Sequence, residues 1–285
     1  MILAVVGPTG VGKTKLSVEL ARKFNAIIIN ADAMQVYKKM DVGTAKVTES
    51  EKKGVPHFLF DIVDPKINYT VFDYQKDARR VLEENKDKNI IFAGGTGLYL
   101  KAALYNYVFK DEDKTRNKFE NYSNDELYNL ALKKDPNMDI HKNNRKRLVR
   151  FLNKEEETEE ECYPLYDVTF IGLTTDRDTL YQRIDERVDE MFENGLLEEV
   201  KELYRESYPS KALTTAIGYK ELIEYLKGNI TLEESKELIK KNSRHYAKRQ
   251  YTWFNNQMNV NWFNVDLNNF NNTMEEVIKF INNIG

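Results

Sequence analysis

Residues 2–14 read ILAVVGPTGVGKT. The five apolar residues Ile2–Val6 have the length and composition of a buried strand. From Gly12 a helical pattern follows, with Leu16, Leu20 and Phe24 on one face. Between the two, GPTGVGKT (7–14) matches G-x-x-x-x-G-K-[ST] in full, and in the strand-to-helix setting that the motif requires. Gly7, Gly10 and Gly12 let the backbone curl with its N–H groups inward. Those donors and the positive end of the helix bind phosphate oxygens. The expected diphosphate cradle is therefore Gly7, Pro8, Thr9, Gly10, Val11, Gly12, Lys13 and Thr14. Lys13 supplies a point charge, and Thr14 is placed to reach Mg2+ or one of its waters. The loop by itself leaves open whether the ligand is ATP or another diphosphate.

Working outward, Ala26–Ile29 reads as a second strand that ends in the polar turn Asn30-Ala31-Asp32. His57–Ile62 reads as a short strand and Val71–Asn85 as a helix. Ile90–Ala93 is a further strand, running into Gly94, Gly95 and Thr96. This alternation predicts an α/β fold, a P-loop NTPase-like parallel sheet flanked by helices. From Lys110 to Lys154 the pattern is helical with no strand, and Ser123 to Glu126 forms a capping box. The acidic run EEETEEE (155–161) reads as a solvated linker. Val168–Leu173 restores a strand, after which the chain reads as nearly all helix. Capping boxes fall at Thr231–Glu234 and Thr273–Glu276, and the Asn-rich stretches near the end read as loops. The expected organisation is a catalytic core of residues 1–110 and 165–285, with a helical insertion at 111–164.

The 285 residues are 41% hydrophobic and carry a net charge of −3, so no global basic field advertises nucleic acid; a local basic surface would serve instead. The single Cys162 excludes an internal disulfide framework. No apolar run approaches the roughly 20 residues of a membrane-spanning helix. The start lacks a basic leader. A cytoplasmic chain working as a monomer, with no membrane partner, is the expectation.

Ligands bind at the carboxyl ends of strands in such sheets. The phosphate loop, Asp32 and the Gly94–Thr96 turn should then share one edge. Asp32 is either a functional acid or a turn-capping aspartate. Gln35 has the paired donor and acceptor that read a base edge, or is an ordinary loop side chain. HKNNRKRLVR (141–150) is a basic helix that contacts nucleic acid, pairs with the acidic segment behind it, or is simply a solvated face. Arg183 and Arg187, four apart on a helix, either close over a diphosphate or pair with Asp185, Glu186 or Asp189. The aromatics Tyr246, Tyr251, Trp253 and Phe254 read as packing residues more than as base platforms.

Taken together, GPTGVGKT (7–14), ADAMQVYKKMDVGTAK (31–46), PHFLFDIVDP (56–65), FAGGTGLYLKAAL (92–104), LYQRIDERVDEMFENGLLEEV (180–200), AIGYKEL (216–222) and RHYAKRQYTWF (244–254) resemble the tRNA dimethylallyltransferases, in that family's order and over most of the chain. The resemblance implies transfer of a dimethylallyl group from dimethylallyl diphosphate to the exocyclic amine of an adenosine beside the anticodon of tRNA. It implies Asp32 as the base, Thr96 as a diphosphate and substrate contact, and Lys13 as the leaving-group cation, with magnesium as cofactor. It also implies tRNA contacts at Asp32, Ala33, Met34, Gln35, Thr96, Arg116, Lys146, Arg147 and Arg150. Ala33 stands where the family often has Ser. Phe151, Asn153 and Thr215 also depart from its pattern. The open alternatives are a kinase using ATP at the same loop, an isopentenyltransferase acting on free adenine nucleotides, and a non-catalytic tRNA-binding NTPase.

Overall fold

A computed structural model describes residues 1–109, 119–153, 162–267 and 269–284. Arg116 and the acidic run 155–161 lie outside the described residues. The chain forms two compact units, Met1–Asn106 with Pro164–Gly285, and Tyr107–Tyr163.

In the first unit the order is β1 (Ile2–Val6), α1 (Lys13–Phe24), β2 (Ala26–Asn30), α2 (Glu49–Lys52), β3 (His57–Phe58), α3 (Val71–Glu84), β4 (Asn89–Ala93) and α4 (Gly97–Leu104). The second unit contributes α5 (Asn124–Lys134) and α6 (Arg145–Asn153). The first unit resumes with β5 (Val168–Thr174), α7 (Arg177–Glu193), α8 (Leu196–Ser207), α9 (Lys211–Thr215), α10 (Tyr219–Leu226), α11 (Leu232–Gln257), β6 (Val260–Asn264) and α12 (Phe270–Ile284). The six strands make one parallel sheet in the order β3-β2-β4-β1-β5-β6.

Side chains alternate across this sheet, as the two-residue strand period demands. Ala4, Val6, Ile27, Ile29, Ile90 and Phe92 face a core shared with Leu100, Leu222 and Phe254. Leu3, Val5, Ile28 and Ile91 face a second core with Leu16, Leu20, Ile184 and Val277. Burial on both faces explains why these strands are apolar throughout. Because every strand is parallel, the loops after β1, β2 and β4 leave from one edge, and these three strands are neighbours. Gly7 opens the phosphate loop with φ +133°, and a Cβ there would lie 2.4 Å from the Leu173 carbonyl oxygen. Only glycine lets the chain turn so close to β5.

Three sequence expectations give way. The strand expected over His57–Ile62 is only two residues long, because Leu59 and Asp61 take positive φ and turn the chain away from β2. The segment read as an Asn-rich loop contains β6, with Asn261 donating its side-chain amide to the Phe170 carbonyl at 3.1 Å. Thr273 is not a cap: α12 already starts at Phe270, and the Thr273 hydroxyl accepts the Asp266 N–H at 2.8 Å. The boxes at Ser123 and Thr231 do cap their helices, and two more form at Thr48 and Thr70.

The second unit packs α5 and α6 around Phe119, Leu127, Ala131 and Leu148. Arg145 is spent on this packing: its guanidinium donates to the carbonyls of Tyr122, Phe119 and Glu120.

The long segment between β2 and β3 is held from the opposite side of the chain. Glu199 of α8 accepts the N–H groups of Asp41 (2.9 Å), Val42 (2.8 Å) and Gly43 (3.1 Å), and the Tyr219 hydroxyl (2.5 Å). Lys46 reinforces the segment by donating to the Tyr37 carbonyl and to Asp41 and Asp61. Glu199→Ala strips four donors of their acceptor. The expected loss is about 2–4 kcal/mol of stability, read as a lower urea midpoint at unchanged slope.

Candidate active site

The site is built from three loops stitched together. Ala31 N–H donates to the Ala93 carbonyl (2.9 Å) and Thr96 N–H to the Ala31 carbonyl (3.0 Å). The Thr96 Oγ1 accepts the Ala33 N–H at 3.0 Å. Asn30, fully buried, accepts the Asp32 N–H (2.9 Å) and donates to the carbonyls of Asp32 (3.1 Å) and Leu59 (3.0 Å). The turn carrying Asp32 is therefore fixed on both sides. Asp32 Oδ1 accepts the Met34 N–H at 2.9 Å. Its Oδ2 takes no hydrogen bond from the described residues.

Facing this turn is the phosphate loop. Lys13 donates to the Pro8 carbonyl at 2.7 Å. Burial pushes its ammonium down to about 7; the nearby charge of Arg187 adds to that, and the charge of Asp32 opposes it. Asp32 and Lys13 thus lie within electrostatic reach of each other. Burial also lowers Arg187, with Asp32 again the leading opposing charge. The N–H groups of Gly10, Val11 and Gly12 donate to no described residue. Thr9 differs from the expected cradle, because its N–H goes to Gln250 Oε1 at 3.0 Å. Pro8 has no N–H, and its carbonyl holds Lys13.

Of the two arginines of α7, Arg183 is bonded to this loop, and Arg187 lies within electrostatic reach of Lys13 and Asp32. Arg183 donates to the Gly10 carbonyl at 3.0 Å. Their expected competitors are taken: Asp185 by Arg244 at 2.5 Å, Asp189 by Lys236 and Lys240 at 2.8 and 2.9 Å, and Glu186 by Gln182 at 2.8 Å. Arg244 is accordingly engaged within the core.

Gln35 donates its amide to the carbonyls of Thr44 (3.0 Å) and Ala45 (3.4 Å). Its donor is therefore committed inside the loop, and only its carbonyl oxygen is left to meet a base. Ala33 and Met34 are half-buried beside Asp32. Lys146, Arg147 and Arg150 are exposed on α6, away from its buried Leu148. Of the aromatics, Phe254 is core, Trp253 packs on Gly97, and Tyr251 leans on Trp262. Tyr246 is different: burial, followed by the charge of Asp32, pushes its hydroxyl up to about 12. Gln250 lies within RHYAKRQYTWF (244–254), one of the segments that carry the resemblance, but nothing in the sequence assigned it a role.

A family model described as IPP transferase matches residues 35–257. The chain belongs to the IPP transferase family. A curated relative, the tRNA dimethylallyltransferase of Anoxybacillus flavithermus, is 43% identical over 98% of this chain and 96% of its own length. Among solved structures, the tRNA delta(2)-isopentenylpyrophosphate transferase of Staphylococcus epidermidis is 39% identical with a TM-score of 0.77, covering 100% of this chain and 99% of its own. A eukaryotic dimethylallyltransferase acting on tRNA matches with a TM-score of 0.80 at 29% identity, over 99% of this chain and 79% of its own. This IPP transferase family member has no described helix long and apolar enough to cross a membrane.

Among the described residues no group of three or more His, Cys, Asp or Glu side chains is arranged to hold a metal. Thr14 is exposed at the start of α1, and its hydroxyl is the oxygen on offer beside the loop. One hydroxyl suits magnesium, which keeps most of its waters and binds chiefly through substrate phosphates. It does not suit a metal caged by protein.

Proposed function

We propose that this chain transfers a dimethylallyl group from dimethylallyl diphosphate to the exocyclic amine of an adenosine beside the anticodon of tRNA, releasing diphosphate. The observation that carries the reading is the placement of Asp32 within electrostatic reach of the cationic phosphate-loop lysine at one edge of the sheet. A phosphate loop alone would serve a kinase equally well.

The chemistry divides between the two sides. The adenine amine is a poor nucleophile because its lone pair is delocalised into the ring. As the new N–C bond forms, Asp32 accepts the amine proton at its carboxylate. The allylic C–O bond breaks, and its electron pair leaves with the diphosphate. Lys13, Arg187 and the N–H groups of Gly10, Val11 and Gly12 stabilise that growing charge. Thr14 would hold magnesium, which supplies further neutralisation of the diphosphate. A stacked base cannot enter such a pocket, so the adenosine is expected to flip out. Lys146, Arg147 and Arg150, and separately Arg116, are assigned to tRNA contacts, which makes tRNA affinity fall with salt. The chain is taken to act as a monomer in the cytoplasm.

The test is incubation with dimethylallyl diphosphate, magnesium and unmodified tRNA, followed by nucleoside mass spectrometry. Isopentenyladenosine at a single position is the expected product. Phosphate transfer from ATP with no allyl transfer would replace this reading with a kinase. Product formed on free AMP in preference to tRNA would move the acceptor to free nucleotides.

A further inference from the structure

We propose that Gln250 is a positioning residue that sets the separation between the leaving-group side and the proton-accepting side of the site. This rests on the allyl-transfer reading above. The residue is 4% exposed. Its Oε1 accepts the Thr9 N–H of the phosphate loop at 3.0 Å, and its Nε2 donates to the Gly95 carbonyl at 3.1 Å. One carboxamide thus spans the loop after β1 and the loop after β4. The tie then runs on through Thr96, which grips Ala31 and Ala33 on either side of Asp32.

Two further observations show that this span is built. A Cβ on Gly95 would sit 1.9 Å from the Gln250 Nε2, so the second glycine of the turn makes room for this amide. The helix that carries Gln250 is anchored on both sides of it, by the Arg244–Asp185 pair and by the fully buried Phe254. The strut is therefore rigid. The span also needs this residue type, because a side-chain amide presents an acceptor and a donor together, whereas a carboxylate presents only acceptors. Transfer demands the reacting atoms in near-attack geometry, where a displacement of about 1 Å costs on the order of 100-fold.

Two variants test it, with wild type in parallel, under single-turnover conditions at saturating dimethylallyl diphosphate, magnesium and tRNA. Gln250→Leu removes both bonds. Its rate is expected to fall at least about tenfold, while pyrophosphate and tRNA dissociation constants stay within about threefold. A folded Gln250→Leu protein with an undiminished rate overturns the proposal, as does one whose rate loss is matched by lost pyrophosphate affinity. If that variant does not fold, Gln250→Glu decides. It keeps an acceptor for Thr9 but faces the Gly95 carbonyl with a group that donates only when protonated. Its rate relative to wild type is expected to fall as pH rises between about 6 and 9. A flat ratio overturns the proposal. A wild-type protein that makes no product defeats the allyl-transfer reading itself, and this inference falls with it.

Discussion

Asp32→Asn is expected to slow the chemical step by about 100- to 10,000-fold, the span typical of a lost general base. Asparagine is the informative replacement. Its Oδ1 can still accept the Met34 N–H now taken by Asp32, so the turn fastened by Asn30 and Thr96 stays in place. What disappears is the proton acceptor. Single-turnover formation of isopentenyladenosine measures the rate, and calorimetric titration with pyrophosphate measures the other half of the site. The affinity for pyrophosphate should not fall by more than about threefold, since the change removes a negative charge from beside Lys13 and Arg187. An Asp32→Asn protein with a wild-type single-turnover rate would leave Asp32 as a turn residue only.

Lys13→Met should act on the opposite side. Removing a buried ammonium that meets an anion typically costs about 2–4 kcal/mol, or roughly 30- to 1,000-fold in pyrophosphate affinity. The pH dependence separates this loss from a general disturbance of the loop. In the free protein, burial, reinforced by Arg187, pushes Lys13 down to about 7 from 10.5. An anion beside it favours the charged form, so binding takes up a proton above that pH. Wild-type affinity should therefore decline relative to Lys13→Met as pH rises above about 7, by up to about tenfold per unit. Both proteins see the same ionisation of pyrophosphate, so the difference between their profiles belongs to Lys13. The same shift has the reverse consequence for folding. The unfolded chain binds more protons at Lys13 between about 7 and 10.5, so this residue makes the free protein more stable as pH rises through that window. Parallel affinity profiles for the two proteins would show that Lys13 is already charged before the anion arrives.

Much of this site is legible in the sequence because it is local. The phosphate loop is eight consecutive residues between a strand and a helix, and its chemistry follows from backbone curvature and two side chains. The placement of Asp32 and Thr96 at that edge is nearly as plain, since each follows an apolar strand and parallel pairing carries strand ends to one edge; the role of Asp32 is not, since a turn-capping aspartate fits the same position. Where a residue's partner lies far along the chain, sequence says little. Arg183 and Arg187 read equally well as surface pairs, and only the folded protein hands Asp185 to Arg244 and Asp189 to Lys236 and Lys240. The Gln35 amide is committed to Thr44 and Ala45 by the course of its own loop. Edge strand β6, rich in asparagine, takes its conformation from pairing with β5.

The sequence by itself determined the fold class and the glycine-rich turn between β1 and α1, because strand and helix periodicity and glycine placement act between neighbours in the chain. Tertiary structure alone decided how the cradle is joined to Asp32. Gln250 lies 241 residues from Thr9 and 155 from Gly95. A hydrogen bond across such distances exists only after the sheet has brought its loops together, and no local pattern records it.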